Sequence, residues 1–188
     1  IAKRFGQIEN IPLKNIDINY LERLMYVNPW VARGNVYMRI DGVVNIEIEQ
    51  RQPILRIINE NDESFYMDSN GKLMLWSPNF TPRMLIVSGH IKESYDKWYH
   101  TSMDELMNND TLKTLTMLDD FYVMTRFILA DEFWSAHVEQ IHVNNYGEIE
   151  LVPKVGDHNI IFGTSDEMEE KFWKLKTFYK EGLNYTGW

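Results

Sequence analysis

The residues whose types come closest to a reaction centre are His137, Glu139 and His142, in the run Ala136-His137-Val138-Glu139-Gln140-Ile141-His142. A zincin helix needs its two histidines four apart, so that both imidazoles share one face, and here they are five apart. On a strand, His137 and His142 have opposite parity and point to opposite faces. The reading is therefore ordinary structural histidines and no metal site. Asp68-Ser69-Asn70-Gly71 resembles the opening of a calcium loop, but Asn79 stands where the twelfth-position glutamate belongs, which leaves a hairpin turn. Asp119-Asp120 and Asp131-Glu132 are adjacent pairs that diverge by about 100° on a helix. They read as the solvated face and the end of a long helix rather than as a general acid and base. Glycine-rich phosphate loops and the Gly-x-Ser-x-Gly elbow are missing, and the chain has no cysteine to act as nucleophile, thiolate ligand or disulfide partner. Neither a catalytic residue nor a cofactor is implied.

Composition narrows the classes further. The 188 residues suit one large domain or two small ones, and 44% hydrophobic with 25% charged residues is globular composition. A net charge of −9 without a basic cluster excludes a nucleic-acid partner. No window is long and apolar enough to span a bilayer. The start Ile1-Ala2-Lys3-Arg4-Phe5 is neither a signal peptide nor an initiator methionine, which is the expectation for a fragment or processed form.

The elements that must position these residues follow from periodicity. Ile18, Leu21, Leu24 and Met25 form a helical stripe capped by Asp17 and ended by Asn28-Pro29. Val36, Met38 and Ile40, a turn at Asp41-Gly42, then Val44, Ile46 and Ile48 read as a hairpin. Pro53 removes a backbone donor, so the strand-like run Val44 to Ile58 is interrupted or lies at an edge there. Phe65 to Met67 and Leu73 to Trp76 flank a second turn, and Met84 to Val87 is a further strand. His90 to Ser102 reads as a surface connection. Ser102 with Glu105 makes a capping box, and Leu112 to Ile128 a long amphipathic stripe. Three strands follow between Val138 and Phe162. Thr164 with Glu167 then forms a second capping box opening a helix with Met168, Phe172, Leu175 and Tyr179 on one face and Gly182 as its stop. The fold class is α+β with mainly antiparallel pairing. Trp98-Tyr99 and Phe133-Trp134 read as core, the alternative being a sugar-stacking surface.

The segment Val44 to Ile58, followed by Tyr66-Met67-Asp68-Ser69-Asn70-Gly71, resembles the extracytoplasmic part of the FtsQ/DivIB cell-division proteins, particularly Bacteroidetes-type members. Gln50, Arg51, Pro53, Asp68 and Gly71 match the family's hairpin exit and following turn. Asn28-Pro29-Trp30-Val31 is similar to a turn of its POTRA domain. Leu85 to Gly89 is similar to its next strand, and Gly163, Lys171 and Leu175 to its late helix. The resemblance implies a partial POTRA-like domain over residues 1–64, without its first strand, and a β domain with two or three helices over 65–188, without its last strands. It also implies a non-catalytic periplasmic scaffold, tethered to the inner membrane by an N-terminal helix outside this chain. Its partners would be bitopic divisome proteins of the FtsB/FtsL type, joined through exposed strand edges, with no small-molecule substrate. Candidate contacts near the C-terminal end are Lys176, Tyr179, Lys180, Tyr185 and Trp188. Arg51 is expected to pair with a neighbouring acid and fix the hairpin's exit. Two other readings stand beside this one: another POTRA-bearing protein of envelope assembly or translocation, and a carbohydrate-binding module or hydrolase using aromatics and acids.

Overall fold

A computed structural model describes residues 16–78, 83–156 and 158–182, and these divide between two compact units, 1–52 and 53–188. In the first, α1 (Ile18–Tyr26) starts at Asp17, whose carboxylate accepts the Tyr20 amide at 2.9 Å. Its Leu21 and Met25 pack on Val31 and Val36 of the antiparallel hairpin β1 (Val31–Met38) and β2 (Val44–Gln50). Arg51 follows β2 and donates from Nε to the Pro29 carbonyl at 3.1 Å and from Nη2 to that of Val31 at 3.2 Å. It thus fastens the hairpin's exit to the turn that enters it.

Among the described residues, the second unit is a seven-stranded mixed sheet packed with helices around one core. Its strands are β3 (Pro53–Ile58), β4 (Ser64–Asp68), β5 (Leu73–Leu75), β6 (Leu85–Gly89), β7 (Val138–Val143), β8 (Ile149–Pro153) and β9 (Ile160–Gly163), in the order β5-β4-β3-β6-β7-β8-β9. The pairs β3–β6 and β6–β7 are parallel and the other four antiparallel. Pro53 does interrupt the run Val44 to Ile58, and more sharply than an edge would: β2 and β3 belong to different sheets. The junction expected between residues 64 and 65 accordingly falls after Gln52, because β3 finds its partners in β4 and β6.

Alternate residues Leu55 and Ile57, Phe65 and Met67, Leu85 and Val87, and Ile149 and Leu151 face one buried core. Among the described residues six helices contribute to or flank it: α2 (Tyr95–Trp98), α3 (Met103–Met107), α4 (Asp110–Lys113), α5 (Leu118–Ala130), α6 (Glu132–His137) and α7 (Met168–Glu181). The stripe Leu112 to Ile128 is broken because Glu93, itself buried, accepts from the Thr116 hydroxyl at 2.9 Å and the Met117 amide at 2.7 Å, holding the chain between α4 and α5. His90 to Ser102 is likewise no mere surface connection, since Ile91 and Trp98 enter the core. The Ser102 cap forms as expected, with the Glu105 amide 3.1 Å from its hydroxyl. The second capping box does not. Thr164 donates to Asp166 instead, and Glu167 sits in the left-handed region at the start of α7.

Candidate partner-binding site

The turn that carried the resemblance works as a docking point for helices. Pro53 and Asp68 are register partners on β3 and β4. Asp68 is buried, and its Oδ1 accepts the amides of Asn70 at 2.8 Å and Lys72 at 2.9 Å, which closes the turn as a hairpin. Gly71 has a φ of +74°, and a Cβ there would lie 2.5 Å from the Cβ of Met103, so the bare Cα is what lets α3 sit on the turn. From α5, the Tyr122 hydroxyl donates to the Ser69 carbonyl at 3.0 Å. The matching residues Pro53, Asp68 and Gly71 are therefore framework. Gln50, exposed, pairs with Val31 at the end of the first unit's hairpin.

At the other side of the sheet, β9 is the outer strand among the described residues. Phe162 points inward and packs on Phe172 with ring centroids 4.8 Å apart, whereas Ile161 points away from the core and is 76% exposed. Gly163 ends β9, and Lys171 reaches back to it, donating to the Thr164 carbonyl at 2.9 Å and lying over the Phe162 ring at 5.3 Å. Helix α7 buries Phe172 against Phe127 and Trp134, with Leu175 packed at the margin. Lys171 and Leu175 thus hold β9 and α7 together.

The proposed contact residues separate into different roles. Tyr179 is buried, stacked edge-on against Phe133 and Trp134, and its hydroxyl is 2.8 Å from His158 Nε2. It is a packing residue, and burial pushes its phenol above the usual range. Lys176 bonds Asp131 Oδ2 at 2.6 Å and lies 5.2 Å from the Phe133 ring centroid. Lys180 is exposed. Tyr185 and Trp188 lie outside the described residues. Two large exposed side chains were missed: Trp173 at 67% and Phe178 at 57%. At about 100° per residue they flank the buried seam of Phe172 and Tyr179 on either side. Their signal in sequence was their offset from that seam.

Asp131 ends the long helix α5 as its C-cap and also caps the start of α6. Its Oδ1 accepts the amides of Phe133 at 2.8 Å and Trp134 at 3.3 Å. The Lys176 hydrogen bond, helped by these two amides, holds the carboxyl below the usual carboxylate range. A depressed folded value stabilises the protein fully above the ordinary carboxylate value, and the contribution vanishes as pH falls through the folded one. Thermal midpoints measured from neutrality down to below about pH 4 should fall for the wild type, with Asp131→Asn less stable at neutrality and less pH-dependent over that interval. Superimposable slopes would contradict this role. Asp120, read as solvated, is instead half-buried and accepts the Ser165 hydroxyl at 2.6 Å, burial raising its carboxyl above the usual range. Asp119 is also buried, with no hydrogen-bond partner for Oδ1 among the described residues.

Of the features that could suggest chemistry, Trp98 and Trp134 are both buried and so cannot line an exposed sugar groove. His137 ends α6, stacked on Phe133 with its Nδ1 2.7 Å from that residue's carbonyl, while His142 lies in β7. Among the described residues no group of three potential ligands could hold a metal, and no helix is long and apolar enough to cross a membrane.

No curated protein matches the chain. A family model described as FtsQ/DivIB, C-terminal related, matches residues 52–188, a span that begins where the structure changes from its first unit to its second. That span is most of the chain and contains the turn, the sheet and the late helix described above, so the protein belongs to the FtsQ/DivIB C-terminal related family of cell-division proteins.

Proposed function

We propose that this chain is the partner-binding part of a non-catalytic divisome scaffold, held in the periplasm by an inner-membrane anchor. Its partners are bitopic proteins of the FtsB/FtsL type. The family consists of non-enzymatic division scaffolds, membrane-anchored with extracytoplasmic domains, and its general partners are divisome proteins. The helix and hairpin of the first unit fit a partial POTRA-like domain. The second unit, with its seven-stranded sheet, is not a second copy of that arrangement, which weighs against a tandem POTRA array of envelope assembly.

The observation that carries the mode of binding is β9. As the outer strand of the sheet among the described residues, it has backbone N–H and C=O groups on the side away from β8, to which an extended partner segment can add as a further strand. Ile161, exposed and pointing away from the core, would supply side-chain contact beside that backbone ladder. Trp173, Phe178 and Lys180 on α7, with Lys176 next to them in sequence, are the surrounding contacts. A photoreactive residue at position 161 of the full-length protein should cross-link to a purified FtsB/FtsL-type partner, whereas the same group at Leu75 on the opposite outer strand β5 should not. Equal cross-linking at both positions, or none at 161, would overturn the β9 assignment.

A further inference from the structure

The second unit carries a cleft lined by residues of β3, β4, β6, β7, α5 and the exit of β8, none of them on β9 or α7. Parallel strands β6 and β7 both begin there, α5 ends there, and β8, antiparallel to β7, ends there with Val138 opposite Pro153. The space enclosed is about 640 Å³. Its walls are aliphatic, from Leu85 and Ile86 of β6, Ile128 and Leu129 of α5, and Val138 of β7. Around them stand three cations, Arg56, Arg83 and Lys154, against a single carboxylate, Glu139. In a chain with 28 acidic and 19 basic residues, that local excess of positive charge runs opposite to the whole.

Two of the cations are fixed before anything binds. Arg56 is the register partner of Tyr66 on β4 and of Ile86 on β6, its Nε donates to the Ser64 hydroxyl at 2.8 Å, and its guanidinium lies 5.7 Å from the Trp76 ring centroid. Lys154 Nζ donates to the Ser135 carbonyl at 2.7 Å. Arg83 is exposed and has no ion pair among the described residues. Guanidinium forks held in this way match carboxylates, and fixing them beforehand lowers the ordering cost of binding.

We infer that this cleft is a second docking site, taking an extended acidic segment of a protein partner whose apolar side chains enter the aliphatic hollow while its carboxylates meet Arg56, Arg83 and Lys154. The inference rests on the reading of the chain as a protein-binding scaffold. The cations come from three separate elements, β3, the approach to β6 and the exit of β8, so a run of carboxylates at intervals engages all three where one small anion engages fewer. Protein is favoured over a bilayer or nucleic acid because the net charge of −9 repels an extended anionic surface, whereas a recessed, aliphatic-walled cleft admits individual side chains.

The test uses a fluorescein-labelled peptide of alternating Glu and Leu, and its Gln and Leu counterpart, titrated by anisotropy against the full chain. The Glu peptide should bind, with the Gln peptide roughly tenfold or more weaker. The double variant Arg83→Glu with Lys154→Glu, at two exposed positions, should lose at least roughly tenfold in affinity for the Glu peptide with its thermal midpoint little changed. Equal binding of the two peptides, or unchanged affinity in the double variant, overturns the proposal. So does binding of phosphatidylglycerol vesicles through these residues without binding of the peptide. Cross-linking from position 161 should persist in the double variant, so failure of the cleft and failure of the β9 reading are separately visible.

Discussion

Gly89→Ala is expected to destabilise the second unit by about 4 kcal/mol, by combining backbone strain with a backbone collision. Gly89 ends β6 with a φ of +108°, where side-chain-bearing residues are strained by about 1–3 kcal/mol. A Cβ there would lie 2.1 Å from the Val143 carbonyl oxygen. That oxygen cannot simply retreat, because it accepts the His90 amide at 2.8 Å and Val143 is the register partner of Gly89 on β7. Relief requires parting β6 from β7 at the centre of the sheet, with loss of hydrogen bonds worth about 1 kcal/mol each. Equilibrium denaturation in urea should show the midpoint displaced accordingly. A loss below about 1 kcal/mol would mean that this end of the sheet is looser than described.

Trp134→Ala should cost a comparable amount, about 3–5 kcal/mol, for a different reason. Trp134 is 1% exposed and lies where α6, α7 and β7 meet, its ring 4.9 Å from both Phe172 and Phe133 and edge-on to Tyr179 at 6.2 Å. Truncation leaves a cavity bordered by rings that cannot collapse together without moving α7. Trp134→Phe, which keeps a ring in the space, should lose much less. Thermal denaturation checks both variants, and a Trp134→Ala protein as stable as the parent would refute the assignment of this residue to the core. The result bears on function because α7 is the support on which β9 rests through Phe162 and Phe172.

Elements whose determinants are local were legible in the sequence. Asp17 as the cap of α1, the Asp41-Gly42 and Asp68-Gly71 turns, and the alternation of β7 and β8 each depend on neighbours a few residues away. What went unread depends on distant partners. Glu93 breaks the helix between α4 and α5 from 23 residues away, and Asp131 meets Lys176 across 45 residues. A buried carboxylate in a turn has no periodic signature. The run Val44 to Ile58 shows the same limit. Pro53 marks an interruption, and the apolar positions change parity from Val44, Ile46 and Ile48 to Leu55 and Ile57, but only the pairing of β3 with β4 and β6 shows that the two strands belong to separate sheets.

The candidate site was legible in part. Helix α7 and its buried seam were evident, but the seam consumes Tyr179, and Lys176 is committed to Asp131. The exposed character of Ile161 is invisible to a reading that counts isoleucine as core. It follows from strand parity, since Ile160 and Phe162 face inward. Of the residues that carried the resemblance, Arg51 holds the Pro29 carbonyl, Asp68 closes its turn and Gly71 leaves room for Met103, contacts set by neighbours that spacing alone does not name.

Amide hydrogen exchange on the full-length protein, with and without a purified FtsB/FtsL-type partner, tests the scaffold account most directly. Strand addition predicts that amides of residues 160–163 exchange more slowly in the complex while those of the opposite outer strand, 73–75, are unaffected. A stable complex with unchanged exchange in 160–163, or failure of the partner to bind at all, would contradict it.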